Sequence, residues 1–365
     1  MESANEQVKT TIQKTIIQLS KVLVTQNTSH ITNSFSFFTH LISVALLGLA
    51  FGLTGCERDA PEERAPGVEE SSIVVEITAT HDPKSDKHLF ELSKVEIPSG
   101  WTTFRLVNNS PDVHLAQTFR VPEDADVTAE VWIEEYIVEF QRMLNRFQDP
   151  EIDGMAEAVE GVEYPDWVAE ISPRGGPGLI GPGYAAEAMA ELEPGHYIIE
   201  CYVKDENEMM HTTLGMAARL VVTADPSGTN EPDADIELTV SDEGIQSSRS
   251  LEPGEQNIRV NFEDRDMPGY RNVHLVRLDN EADLERLSSW MNAWLPGSFV
   301  APAPVDFIGG TGRKPAGHAT YFTVDVEPGD YAWVSEYPVT TDWDTELEEL
   351  GLLQIFTVEK PSLKP

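Results

Sequence analysis

The sequence predicts an all-β chain with helical insertions, arranged as two tandem β-sandwiches. Three observations carry this. Short stretches alternate apolar and polar residues, as in Thr102–Val107, where Phe104 and Leu106 fall on the face opposite Thr103 and Arg105. Pro-Gly pairs at 194–195 and 328–329 punctuate the stretches and feed the next one. Three blocks also recur in the same order, the mark of a repeated unit: NSPDVHL (109–115) over GYRNVHL (269–275), LEPGHYIIEC (192–201) over VEPGDYAWVS (326–335), and GMAARLVV (215–222) over GLLQIFTV (351–358). Short strands of this kind, bounded by Gly and Pro, suit antiparallel sheets packed face to face.

Residues 41–53 (LISVALLGLAFGL) form a thirteen-residue apolar run, short for a membrane span and suited to a signal h-region. It ends in Leu53-Thr54-Gly55-Cys56, which resembles the lipobox of bacterial lipoproteins. The resemblance implies cleavage before Cys56, lipidation of its sulfur and, with Glu57 next in sequence, an outer-membrane destination. Residues 1–55 are thus expected to be a signal peptide or N-terminal extension. The nearest basic residues flanking the run are Lys21 and Arg58, so the usual adjacent basic segment is missing. Residues 56–72 are rich in charge and proline and read as a flexible acidic tether. Repeat one is expected over 73–224, a linker over 225–234 and repeat two over 235–360. Each repeat carries a helical insert after its histidine block, at 128–147 and 281–294, where apolar residues recur at helical spacing.

Charge bounds the partners. Asp plus Glu number 63 against 25 Lys plus Arg, a formal net charge of −38. Such a surface repels phosphate backbones, so nucleic acid is excluded as a partner. It keeps the chain soluble and is compatible with docking a basic redox or envelope protein. The expected location is the bacterial cell envelope, held at the membrane through the lipid anchor, at the outer membrane and facing either the periplasm or the cell surface.

The residues that could carry chemistry lie in repeat one: His114 after a strand, Cys201 at the end of a later strand, then His211 and Met216. The order His…Cys…His-x-x-x-x-Met resembles the blue-copper (cupredoxin) pattern of plastocyanin-like domains, which implies two tandem cupredoxin-like Greek-key sandwiches. It implies one copper held by those four residues, for electron transfer or copper handling. A thiolate and two imidazoles suit both copper oxidation states, and a distant thioether tunes the potential. Nine residues separate Cys201 from His211, so the intervening loop must fold back for the two to meet. Met209 and Met210 are alternative soft ligands beside His211. The second repeat keeps His274 but has Ser335, Leu347 and Leu352 at the other three positions, and is expected to lack a copper set. His81 and His88 flank a polar loop and read as surface residues.

By the same resemblance, multicopper oxidases and copper nitrite reductases need further histidines, often as His-x-His. The chain has no His-x-His, Gly-x-Ser-x-Gly or His-Glu-x-x-His motif, and the expectation is that it is not an enzyme. The alternative to a copper protein is a lipoprotein without metal, in which the sandwich is a scaffold for a partner and Cys201 is a buried free thiol.

Overall fold

The computed structural model describes residues 72–85, 87–263, 271–279, 282–336 and 347–360. Cys56, the apolar run before it and nearly all of the tether lie outside the described residues. Among those described, no helix is long and apolar enough to cross a membrane.

The first repeat supplies β1 (Ile73–Asp82), β2 (Lys87–Leu92), β3 (Glu96–Asn108), β4 (Gln117–Val121), β5 (Ser172–Pro173), β6 (Ala185–Leu192), β7 (Gly195–Glu200) and β8 (Ala217–Pro226). The second supplies β9 (Ile236–Ser241), β10 (Gly244–Ser247), β11 (Gly254–Phe262), β12 (Arg271–Leu278), β13 (Asp306–Lys314), β14 (Ala319–Val326), β15 (Gly329–Val334) and β16 (Leu353–Val358). Pairing follows one scheme twice. β1 pairs antiparallel with β2 and parallel with β3, and β3 pairs antiparallel with β6. β9, β10, β11 and β14 do the same. The facing layers are β4–β7–β8 and β12–β15–β16. β6 also pairs with β14, so the front layers of both repeats join into one continuous sheet.

The repeats agree down to single hydrogen bonds. The Tyr197 hydroxyl donates to the Glu193 carbonyl at 2.7 Å, and that of Tyr331 donates to the Glu327 carbonyl at 2.9 Å. The Cys201 N–H donates to Met216 O at 3.3 Å, as Ser335 N–H does to Leu352 O at 2.9 Å. The aligned positions are therefore equivalent in space, including those where the side chains have diverged.

Alternation places Tyr197, Ile199 and Cys201 in the core between the layers with Val75, Ile77, Phe104 and Leu106. Ile198 points the other way, into a second cluster with Val121, Val127 and Trp132. That outer cluster exists because the first helical insert covers the back of β4 and β7. It runs as Ala129–Val131, a π-helical stretch Trp132–Ile137 and Val138–Phe147. Thr128 caps its start by accepting the Val131 N–H at 3.2 Å. The second insert is shorter than its sequence pattern, Ala282–Trp290, and Met291 and Trp294 pack from the turns that follow.

Candidate metal centre

His114 stands just before β4, held in a two-way backbone bridge to Ile180, with N–H to O distances of 3.1 and 2.8 Å. Cys201 follows β7. The nine residues after it form a tight excursion. Asp205 Oδ1 accepts the N–H groups of Asn207 and Met209 at 2.9 and 2.8 Å, and Glu208 turns through a positive φ of 62°. Lys204 then bridges Met210 across the loop. The strand ends close as His211 N–H donates to Val203 O at 2.7 Å and Thr212 N–H to Cys201 O at 2.9 Å. The helical insert braces this loop, because Gln141 accepts the Met210 N–H at 2.8 Å and donates to Glu208 O at 3.1 Å.

The result is a three-atom cluster. Cys201 Sγ lies 3.5 Å from His114 Nδ1 and 3.7 Å from His211 Nδ1, and the two nitrogens are 3.1 Å apart. A point equidistant from all three lies about 2.0 Å from each, within the span of N/S metal bonds, about 2.0–2.3 Å. All three residues are 0% exposed. Met216 is buried in the same core cluster as Cys201, and its backbone ties the set together, its N–H donating to His211 O at 2.9 Å. Met209 and Met210 go elsewhere. Met210 packs into the cluster under the helix with Trp132, and Met209 lines a groove along the helix beside Gln141 and Arg142.

Hydrogen bonding around His114 accommodates the ligating tautomer. Ser110 Oγ lies 2.6 Å from His114 Nε2, and its own proton has Asn108 Oδ1 at 3.0 Å and the Asp112 carbonyl at 3.3 Å as acceptors. With that proton on Asn108 or Asp112, His114 donates from Nε2, which leaves the lone pair of Nδ1 facing the cluster. Asn108 is itself anchored, donating to the carbonyls of Asp112, Ile180 and Gly181 at 2.7, 3.2 and 3.0 Å. Without an ion the set is neutral. Burial pushes the Cys201 thiol up to about 12. Burial, followed by the neighbouring His88 and His81, pushes His114 down to about 3, and burial first and then His114 hold His211 well below the usual imidazole range. A thiol and two neutral imidazoles, buried and converging with no carboxylate among them, form a soft set that fits copper.

One expectation for this end of the sandwich is corrected. His88 is not a surface residue. It is 2% exposed and lies flat on His211, ring centroids 4.0 Å apart and planes within 10°. His88, His114 and His211 offer ring nitrogens within 4.8 Å of one another. The reason is period-two geometry: His88 shares the inward face of β2 with Phe90, while Lys87, Leu89 and Glu91 face solvent.

Among its described residues, the second repeat builds no such set. His274 Nδ1 accepts the Leu179 N–H at 3.1 Å, so its lone pair is used by the backbone. A Cβ on Gly178 would stand 2.7 Å from that same nitrogen, so only glycine fits there. Leu347 and Leu352 fill the remaining space with hydrocarbon. Beside them Glu336 receives Tyr202, Asn272 and Arg313.

No protein-family model and no curated protein matches the chain. Solved structures do. An auracyanin from Roseiflexus castenholzii is 18% identical over 34% of this chain and 95% of its own, with a TM-score of 0.26. A multicopper oxidase is 12% identical over 78% of this chain and 88% of its own, TM-score 0.21. A copper nitrite reductase from Nitrosomonas europaea is 13% identical over 79% and 93%, TM-score 0.20. The fold class, all-β with helical insertions in two sandwiches, is carried by the chain's own strand pairing. The expectation of a non-enzyme is corrected, since the solved structures matched include enzymes, a multicopper oxidase and a copper nitrite reductase. The chemistry is read from Cys201, His114 and His211 themselves.

Proposed function

We propose that the chain binds one copper ion through Cys201, His114 and His211, with Met216 as a weak further ligand, and serves electron transfer or copper handling. The triangle of 3.5, 3.7 and 3.1 Å between sulfur and the two Nδ1 atoms carries this reading. When bound, copper supplies a one-electron couple at a site closed to water. The protein's residues do the rest. Cys201 would hold the ion as its thiolate, since a buried thiol is deprotonated only against a cation. Ser110, accepting from His114 Nε2, would hold that ring in the ligating tautomer, and the Lys204–Met210 loop brings His211 to the sulfur. Two packed sheets keep the donors still, so little rearranges when charge changes.

For the N-terminus we propose lipidation at Cys56 and an envelope location, on the Leu53–Cys56 pattern alone. We likewise propose two domains, 73–224 and 235–360, with the second lacking a copper set because backbone and leucines occupy its place.

The test is a copper titration of the full chain carrying Cys56→Ser, followed by visible absorption and electron paramagnetic resonance, with and without Cys201→Ser. One equivalent of Cu(II), with an intense sulfur-to-copper band that Cys201→Ser abolishes, is expected. Binding without that band in the parent protein refutes the cysteine-centred site.

A further inference from the structure

Every ligand of the proposed centre is buried, so electrons must cross protein to reach a partner. Among the described residues, an aromatic path runs from the site outward. His88 stacks on His211 at 4.0 Å and 10°, and His81 stacks on His88 at 4.4 Å and 18°. His81 and His88 are direct cross-strand partners in the β1–β2 hairpin, so the stack follows from the register. Beyond His81 the hairpin turns through Asp82, Pro83, Lys84 and Ser85, all exposed.

The same geometry argues against His88 as a ligand. The His211 Nδ1 lone pair, through which that residue would hold an ion, lies in the plane of its ring. The parallel His88 ring sits 4.0 Å away by centroid, so its own in-plane lone pairs do not point at that ion. His88 touches the ligand through its face.

We propose that His88 and His81 form the route of electron exchange between the Cys201 centre and the surface at the β1–β2 hairpin. This rests on the copper reading of the Cys201 site. In the exchange the centre loses or gains one electron, the partner gains or loses it, and no bond is broken.

The experiment attaches a ruthenium polypyridyl photosensitiser to the full chain carrying Cys56→Ser, either at Ser85→Cys on the hairpin tip or at the exposed Ser247→Cys in β10 as a control. Flash photolysis then reads intramolecular electron transfer. The expected result is a fast phase from the tip label that His88→Leu abolishes and His88→Phe, which keeps a ring on His211, restores. The Ser247→Cys label is expected to be indifferent to both, and the visible and paramagnetic resonance spectra of the bound ion unchanged in all variants. An unaltered rate in His88→Leu, with the cysteine–copper band intact, overturns the route and leaves the copper reading standing. A His88→Leu spectrum that differs from the parent overturns it as well, by making His88 a ligand. Absence of the band in the parent protein overturns the copper reading and this route together.

Discussion

Ser110→Ala removes one oxygen, and the structure shows what that oxygen does. In the ligating tautomer of His114, Ser110 Oγ accepts the Nε2 proton at 2.6 Å; it also accepts the Asp112 N–H at 3.1 Å and has Asn108 Oδ1 at 3.0 Å as an acceptor for its own proton. All of this is buried or nearly so. Without it, the His114 Nε2 proton has no acceptor, and the ring can move its proton to Nδ1, where it faces the sulfur and blocks the metal. Loss of such an orienting partner costs about 10- to 100-fold in metal affinity, equivalent to about 1.4–2.8 kcal/mol. The metal-free protein should also lose about 1–3 kcal/mol, the cost of a buried polar group left unsatisfied. Affinity is read by competition with a chelator of known strength, and stability by urea unfolding of the metal-free protein. Ser110→Thr, which keeps the hydroxyl, should retain most of the affinity. Unchanged affinity in Ser110→Ala, with the expected loss of stability, would refute the argument that Ser110 sets the ligating tautomer.

Tyr197→Phe and Tyr331→Phe remove equivalent bonds in the two repeats, and each should cost about 0.5–1.5 kcal/mol in urea unfolding; a large difference between them would contradict their equivalence. Arg313→Met strips the buried Glu336 of its cation and should destabilise by about 3–5 kcal/mol, with Glu336→Gln on top recovering part of the loss. Burial, then the nearby Arg174, pushes Lys314 down to about 8, against the partial support of Glu191. A lysine with a depressed folded value binds fewer protons folded than unfolded between pH 8 and its ordinary value. Its contribution to stability therefore rises with pH across that window, by roughly 3 kcal/mol in all. Lys314→Met should flatten that rise when the two pH–stability curves are subtracted.

The sandwich was legible because each strand keeps its period of two and the Pro-Gly turns mark where strands begin. The repeat made the reading firmer, since the same tyrosine follows each Pro-Gly pair and makes the same bond back. The ligands were legible as residue types in order. The loop closure that joins His211 to Cys201 was not, because it depends on Asp205 turning the chain and on Gln141, from the helical insert, holding it. His88 and His81 were within reach: His81 continues the inward stripe Ile73, Val75, Ile77, Ala79, and His88 shares a face with Phe90. Their polarity and the loop between them argued for solvent, and the register that stacks them has no local signature. The β6–β14 junction was hidden for a related reason, since nothing in an edge strand names the edge it will meet.

The most direct test of the copper centre is X-ray absorption at the copper edge of the loaded protein. One short sulfur and two nitrogen scatterers at about 2.0–2.3 Å, with the sulfur lost in Cys201→Ser, is the predicted result. A first shell of nitrogen and oxygen alone, identical in the parent and in Cys201→Ser, would contradict it.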